Sequence, residues 1–102
     1  NLMNLPHMAD LVCAMIDDAL KAYRTEDIVL IEGMSRRDDV VDDLRYAIFR
    51  ESVTYMMEDP KNITRCMDYV MVARYLERCG DYACDIAEQV CYMVTGERVE
   101  VK

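Results

Sequence analysis

Turn-forming residues are scarce in this chain. Among 102 residues there are three glycines, two prolines and no tryptophan. Because turns and loops depend on glycine and proline, so few of them leave room for only a few connections. The hydrophobic residues, which make up 53% of the chain, must then lie in long secondary-structure elements. The composition therefore predicts an all-α fold of few, long helices, and it makes strands an unfavourable interpretation.

Positive charge and long apolar runs are also in short supply. The formal net charge is −8, and no basic cluster is longer than Arg36-Arg37, which disfavours binding to a nucleic-acid backbone. No apolar run approaches the ~20 residues that cross a bilayer, and no charged-then-apolar leader opens the chain. These features predict a soluble, cytoplasmic protein. The chain begins at Asn1 without an initiator methionine, so we expect it to be a fragment.

Residues for covalent or acid–base catalysis are nearly missing. His7 is the only histidine, and no serine or cysteine is placed with an evident base. The sequence has no glycine-rich phosphate-binding loop, so any phosphate would have to be bound through a metal or through arginines. The prediction is that the protein is not an enzyme.

Cysteine is present in an odd number and without a C-x-x-C spacing. This argues against both a disulfide framework and a zinc clamp. Most of the thiols occupy apolar helical positions, where cysteine behaves as a small hydrophobe, and we predict buried structural thiols. The five are Cys13, Cys66, Cys79, Cys84 and Cys91.

Hydrophobic periodicity divides the chain into three long helices and one short helix. The first is predicted over residues 4–24, and Thr25 is predicted to cap a short second helix that Gly33 ends. The apolar residues of the first helix recur at threes and fours: Leu5, Met8, Leu11, Val12, Met15, Ile16, Ala19, Leu20 and Tyr23. We expect an antiparallel three-helix bundle with one short extra helix, forming a single domain over residues 1–102.

Two further start signals define the other long helices. Ser35, followed by Asp38 as a variant of the capping box, predicts a helix that continues to about residue 58. Asp59-Pro60 predicts the start of a last helix that runs to residue 95 and ends at Gly96. This last helix is long for so small a domain.

Acidic residues form a row along the last helix. At about 100° per residue, Glu77, Asp81, Asp85 and Glu88 fall within an arc of roughly 80°. The neighbouring arc is apolar and is predicted to face the core: Tyr69, Ala73, Leu76, Gly80, Ala83, Cys84, Ala87, Val90, Cys91 and Val94. On the preceding long helix, Asp38 and Asp42 flank a second apolar arc, which comprises Val41, Leu44, Ile48 and Tyr55. Both helices therefore place carboxylates beside the core.

Two interpretations of the acidic row stay open at this point. Like charges four residues apart repel, so a positive group is expected over the row. It could be Arg74 and Arg78, each three residues before an acid, or a metal ion shared by carboxylates one turn apart. For Asp38 and Asp42 a third interpretation is stabilisation by the helix dipole in the first turn.

Three other acids are assigned to structural roles. Asp39 and Asp43 belong to the outward side of their helix and are predicted to be solvating charges. Glu51 falls close to the apolar arc, where an unpaired carboxylate is unfavourable, so we expect it to pair with Arg74 or Arg78.

A second apolar surface lies on the last helix, away from both the core arc and the acids. It comprises Met71, Tyr75, Cys79, Tyr82, Ile86 and Met93, called here the apolar face. Exposed apolar surface of this extent usually marks an interface, and tyrosine and methionine suit such contacts. The alternative is that the long helices wrap tightly enough to make this side core as well.

The chain closely resembles the PhoU family, the phosphate-transport accessory and regulatory proteins of bacteria and archaea. The resemblance rests on Glu77-Arg-Cys-Gly-Asp81, which matches the family signature of an acid, three residues and Asp on a long helix. It extends through ARYLERCGD, DIAEQVCYMVTGE, DDVVDDL and ESVTYMMEDPKNI, and so covers nearly the whole chain. The resemblance implies one three-helix repeat, most like the second, of a protein that normally has two.

The resemblance also implies metal binding. Glu77 and Asp81 match the metal-binding motif, Asp38 and Asp42 match its counterpart, and Asp85 stands where the family more often has Asn. The implied cofactor is a divalent metal or a multinuclear cluster of Fe, Mn, Mg or Zn. Ligation by carboxylates alone suits Mg, Mn or Fe better than a closed zinc site.

The implied role is that of a non-enzymatic cytoplasmic regulator that restrains phosphate uptake and quiets phosphate-starvation signalling. The implied partners are the ATPase subunit of the phosphate ABC transporter and a sensor histidine kinase, with contact to the membrane only through the transporter. The apolar face is then expected to form either a homodimer or the packing surface between tandem repeats.

Two rival interpretations remain. A ferritin-like di-metal oxidase also uses inward acids on long helices, but it normally needs a Glu-x-x-His pair on two helices, which this sequence lacks. The other rival is a metal-free helical accessory or dimerisation domain appended to a transporter or channel.

Overall fold

Three helices run along the long axis of the molecule. The computed structural model describes residues 4–97, which measure 54 × 19 × 16 Å along the principal axes. The helices are α1 (Leu5–Thr25), α2 (Met34–Glu58) and α3 (Ile63–Thr95), and residues 4–97 contain no strand. Successive helices are antiparallel, so α1 and α3 run in the same direction. The all-α, antiparallel three-helix bundle predicted from the sequence is confirmed.

The link between α1 and α2 differs from the prediction. Thr25 does not cap a second helix but ends α1, where its hydroxyl donates a hydrogen bond to the carbonyl of Lys21. The short helix is a single 3₁₀ turn, Ile28–Ile31, and its cap is Asp27, whose side chain accepts from the N–H of Val29. The hydroxyl of Thr25 has its acceptor one turn back, within α1, so Asp27 serves as the cap instead.

Both predicted starts of the other helices are shifted. α2 begins at Met34, and Gly33 occupies its N-cap position at φ 75° with no side-chain cap, so the capping box proposed for Ser35 and Asp38 is wrong. Ser35 already lies within the first turn. Asp59 does act as a cap, but it caps a 3₁₀ turn over Pro60–Asn62 that precedes α3.

The end of α3 is as predicted. Gly96 adopts φ 74° and its N–H donates to the carbonyl of Tyr92, which is a left-handed helix stop that a side chain would strain.

The core is a narrow seam between the three helices. From α1 it takes one row at alternating spacings of three and four: Leu5, Met8, Val12, Met15, Ala19 and Ala22. From α3 it takes mostly small residues: Cys66, Ala73, Gly80, Ala83, Cys84, Ala87 and Val90. Small residues on α3 allow its backbone to approach α1 and α2 closely.

Some predicted core positions lie outside this seam. Leu20, Tyr23 and Val94 are 38%, 54% and 39% exposed. Each helix buries mainly one row of side chains in the core. The apolar residues next to that row therefore lie at the edge of the core and stay partly exposed. Of the cysteines, Cys66 and Cys84 are buried as predicted, but Cys13 is exposed.

The expected pairing of Glu51 with Arg74 or Arg78 is wrong. Its side chain is exposed and it lies outside the core, while Arg74 contacts Glu77 instead.

None of the helices within residues 4–97 combines the length and apolarity that crossing a membrane requires.

Candidate functional site

Four carboxylates from two helices meet on the α2–α3 face. We call Asp38, Asp42, Glu77 and Asp81 the carboxylate cluster. Because α2 and α3 are antiparallel, Asp38 lies level with Gly80, and Asp42 hydrogen bonds to Glu77. The charges of Asp38, Glu77 and Asp81 all act on Asp42. The two acidic rows recognised in the sequence are therefore brought together at one place.

The cluster contains a cation that the sequence interpretation missed. Nε of Arg45 on α2 donates to Oε2 of Glu77 at 2.7 Å, and the two side chains are only 23% and 13% exposed. Nη1 of Arg74, one of the two arginines that the sequence offered to cover the row, reaches Oε1 of Glu77 at 3.4 Å, but the Arg74 side chain is 54% exposed. The signal for Arg45 was its position three residues after Asp42, which places both on one side of α2.

The ionisation of the cluster is asymmetric. Burial, the hydrogen bond with Glu77 and the negative charges of Asp38, Glu77 and Asp81 raise the pKa of Asp42 to about 6. Burial also raises the pKa of Glu77, but hydrogen bonds with Arg45 and Asp42 and the charges of Arg45 and Arg74 outweigh it, so the net shift is downward. Below about pH 6, the proton of this pair therefore resides on Asp42 and Glu77 is the ionised member.

Gly80 permits the close approach of the two helices at the cluster. A Cβ at this position would lie 3.3 Å from Oδ1 of Asp38 and 3.8 Å from both Met15 and Val41. Asp38 is 5% exposed, so its carboxylate has little room to withdraw. The glycine in the middle of the signature is thus explained by the buried carboxylate facing it.

The remaining acids of the row diverge from the cluster. Asp85 is exposed and borders a depression on the other side of α3, together with Leu20 and Tyr23 of α1. Glu88 is half-buried. Asp39 and Asp43 are exposed, as predicted for solvating charges. Among the sequence-predicted metal ligands, the structure brings Asp38, Asp42, Glu77 and Asp81 together and leaves Asp85 apart.

The donor chemistry of the cluster fits a hard cation. All four groups are carboxylates, the oxygen ligands that hard cations prefer. Burial, the hydrogen bond with Glu77 and the negative charges of Asp38, Glu77 and Asp81 raise the pKa of Asp42. The guanidinium of Arg45 already contacts Glu77, so a metal would compete with it for that oxygen. Across residues 4–97, no three His, Cys, Asp or Glu side chains are arranged so that a single ion could bind all of them.

The apolar face of α3 is largely open. Met71, Tyr75, Tyr82 and Met93 are 43%, 54%, 63% and 53% exposed, and Cys79 and Ile86 are half-buried. The described helices do not cover this side, so the interpretation of it as extra core is wrong.

The fold and the cluster define a class of protein: an all-helical bundle domain that carries acidic motifs on two neighbouring helices. The chain belongs to the PhoU family, because the model of the PhoU domain matches residues 5–90.

Curated relatives support the same assignment. The chain is similar to the phosphate-specific transport system accessory protein PhoU homolog of Caulobacter vibrioides, with 43% identity over 96 residues, 94% of this chain and 42% of that protein. The Rhizobium meliloti homolog is 39% identical over 92 residues, 90% of this chain and 39% of that protein. The Deinococcus radiodurans homolog is 41% identical over 96 residues, 94% of this chain and 45% of that protein. The chain thus spans about two fifths of the length of these relatives.

Proposed function

We propose that this chain is a regulatory repeat of a phosphate-transport accessory protein, acting in the cytoplasm through protein contacts and without catalysis of its own. The family membership and the names of the similar proteins support this role. In this proposal the parent protein restrains phosphate uptake and phosphate-starvation signalling through the transporter's ATPase subunit and a sensor histidine kinase. The apolar face of α3 supplies a contact surface, either to a second repeat or to a second copy.

We further propose that the carboxylate cluster binds a metal. The observation that carries this proposal is the convergence of Asp38 and Asp42 from α2 with Glu77 and Asp81 from α3. These four side chains would supply the ligands, with Asp85 only from the next turn. Because no three of them within residues 4–97 are arranged around one ion, binding would require their side chains to rotate toward it. When bound, the metal would supply positive charge that draws α2 and α3 together and a coordination point for an anionic group. Mg, Mn and Fe suit this oxygen-only donor set best, with Zn less favoured.

Metal content and acid-to-amide variants test this assignment. The dialysed protein would be analysed for metal after addition of Mn, Fe or Mg, alongside the double variant Glu77→Gln with Asp81→Asn. We expect stoichiometric metal in the wild type, none in the variant, and unchanged helicity by circular dichroism.

The chain offers a matched control on α2. Asp38→Asn with Asp42→Asn removes two cluster carboxylates, whereas Asp39→Asn with Asp43→Asn removes two exposed ones from the same turns. Both pairs change the net charge equally. Loss of metal in both would point to non-specific attraction to an acidic surface, and retention in both would contradict the cluster as the site.

A metal-free accessory or dimerisation domain is the second candidate function. The ion pair between Arg45 and Glu77 favours it, because that pair neutralises part of the cluster from within the chain. Under this candidate, no metal binds under any condition, and Arg45→Met destabilises the protein whether or not metal is added.

A further inference from the structure

Both oxygens of the Glu77 carboxylate face a guanidinium. Nε of Arg45 lies 2.7 Å from Oε2, and Nη1 of Arg74 lies 3.4 Å from Oε1. Glu77 is also the hydrogen-bond partner of Asp42. Because the Glu77 side chain is only 13% exposed, an ion from solution can reach its oxygens only by replacing one of these neighbours.

The two arginines hold Glu77 with unequal strength. Arg45 comes from the opposite helix, its side chain is 23% exposed and its contact with Glu77 is short. Arg74 lies three residues before Glu77 on the same helix, is 54% exposed and makes the longer contact. A short, half-buried contact between charged groups is stronger than a long, exposed one. Arg45 is therefore the neighbour that an ion at Glu77 must displace.

The two arginines lie to one side of Glu77 along the helix axis. Asp38 lies level with Gly80, and α2 and α3 are antiparallel. At a rise of 1.5 Å per residue, the Arg45 and Arg74 backbones are therefore about 4 to 6 Å from the level of Glu77 in the same direction.

Asp38 and Asp81 lie on the other side of Glu77, at a similar distance of about 4 to 6 Å along the axis. The contact with Arg45 thus directs the Glu77 carboxylate away from both of these acids. This gives a physical reason why, across residues 4–97, no three acidic side chains are arranged around one point. The four carboxylates share one face of the bundle, but Arg45 keeps one of them turned aside.

Arg45 has a second contact, on its own helix. Its Cζ lies 5.1 Å from the centroid of the Tyr46 ring, and Tyr46 is 53% exposed. A guanidinium over an aromatic ring is stabilised by the electrons of the ring face. Arg45 can therefore give up Glu77 and keep a favourable position at the surface of α2.

A divalent ion and Arg45 are incompatible at the same oxygen of Glu77. Hard cations bind carboxylate oxygens at about 2.0–2.6 Å. A guanidinium nitrogen that stayed 2.7 Å from that oxygen would then lie within about 5 Å of the ion, and positive charges at this separation in a half-buried site repel strongly.

We infer that Arg45 controls the metal site as an internal counter-ion. In the absence of an ion it pairs with Glu77 and holds this carboxylate away from Asp38 and Asp81. A bound divalent ion displaces Arg45 onto Tyr46, and Glu77 then turns toward the other ligands. The inference rests on the proposed metal site and names how that site is regulated: the affinity for metal is set by competition with a side chain of the same chain.

Calorimetric titration with Mn²⁺ tests the competition. Arg45→Met should lower the dissociation constant roughly 10-fold or more, because the ion no longer has to break a charged hydrogen bond. Arg74→Met is the matched control, since it also removes one positive charge in contact with Glu77. It should change the dissociation constant by less than about 3-fold, because its contact is exposed. Circular dichroism establishes that both variants are folded.

Nuclear magnetic resonance of the wild type tests the displacement without any substitution in the measured protein. During titration with the diamagnetic ion Mg²⁺, exchange of the Arg45 Nε–H with water should accelerate on the order of 10-fold, because its acceptor is lost. Arg37 is the internal reference, since it pairs with Asp18 on α1, and its signals should not change. A spectrum of Arg45→Lys identifies the Arg45 signal by its absence.

Three results would overturn the inference. They are equal Mn²⁺ affinity in the wild type and Arg45→Met, an equal gain in Arg74→Met, and an Arg45 Nε–H that is unchanged at saturating Mg²⁺. Each of them leaves the metal site itself in place. Absence of metal from the wild type and both variants would instead overturn the proposed site together with this inference, so the two failures are distinguishable.

Discussion

The two sides of α3 carry opposite kinds of unfavourable group: buried charges on one side and exposed apolar side chains on the other. On the α2 side, the carboxylates of the cluster are buried or half-buried. Arg45 pairs with Glu77 there, and the raised pKa of Asp42 keeps a proton on that side chain below about pH 6. On the apolar face, side chains such as Tyr82, at 63% exposure, are in contact with water. The first side compensates its unfavourable groups within the chain, and the second has no compensation there. The comparison teaches that the buried charges of this small bundle are compensated by groups of the same bundle, whereas the exposed apolar side chains of α3 are not covered by any helix within residues 4–97.

The largest difference between these sides should appear when Arg45 is neutralised. Arg45→Met keeps a long apolar stem but leaves Glu77 half-buried without its cross-helix cation. We expect a loss of about 2 kcal/mol in the free energy of unfolding, measured with urea.

Arg74→Met is the control for that loss. Arg74 is 54% exposed and its contact with Glu77 is 3.4 Å long, so its removal should change stability by less than ~0.5 kcal/mol. Equal losses in the two variants would mean that the depth of the Arg45 pair has no energetic consequence.

A smaller effect is expected at Gly80. Alanine raises helix propensity by up to ~1 kcal/mol, but its Cβ would lie 3.3 Å from Oδ1 of the buried Asp38. We expect Gly80→Ala to lower the free energy of unfolding by about 1 kcal/mol in thermal or urea unfolding. In an Asp38→Ala background the obstruction is gone and the same change should become stabilising. A stabilising Gly80→Ala in the wild type would show that the cluster can move apart freely.

The pH dependence of stability should report Asp42. Its pKa is raised from 3.8 to about 6 in the folded state, so its contribution is fully present below pH 3.8 and is lost as the pH rises through about 6. Glu77 has the opposite sign, because its lowered pKa makes its contribution fall away only below its ordinary value of 4.5. Between pH 5 and 6.5 we therefore expect stability to decline with rising pH in urea unfolding.

Asp42→Asn isolates this effect, because it keeps the side-chain shape and removes the titration. The decline over pH 5 to 6.5 should flatten in the variant. A slope that is the same in both proteins would assign the decline to another group.

The smallest effect on folding is expected at the apolar face. Tyr82→Ser, measured at a concentration where the chain is a monomer, should change the free energy of unfolding by less than ~0.5 kcal/mol, because Tyr82 is mostly exposed. A loss above ~1 kcal/mol would show that the apolar face contributes to the stability of the fold, and the contrast between the two sides of α3 would disappear.

Local patterns were sufficient for much of the fold. The scarcity of glycine and proline and the 3.6-residue periodicity predicted three long helices, and Gly96 marked the end of α3, because these signals act within one or two turns of the chain. Helix starts were less predictable. Thr25, Ser35 and Asp59 are all good cap residues, but only Asp59 caps a helical turn, and that turn is a 3₁₀ one.

The candidate site was predictable as a set of residues but not as an arrangement. Periodicity on each helix placed Asp38 and Asp42, and likewise Glu77 and Asp81, beside the core. The spacing places Arg45 on the same side of α2 as Asp42, but it does not indicate that Arg45 reaches Glu77 on the other helix. It also does not indicate that Asp85 lies toward α1 rather than toward the cluster.

The sequence by itself determined the helices, the rows of residues along them and the family to which the chain belongs, because each depends on composition, period or short motifs. The tertiary structure alone decided which rows meet. Helix packing brought the two acidic rows to one face, where burial, the hydrogen bond with Glu77 and mutual repulsion raise the pKa of Asp42. It also left the apolar face of α3 uncovered by the other described helices. Such effects depend on the level and rotation of one helix against another, which no single helix encodes.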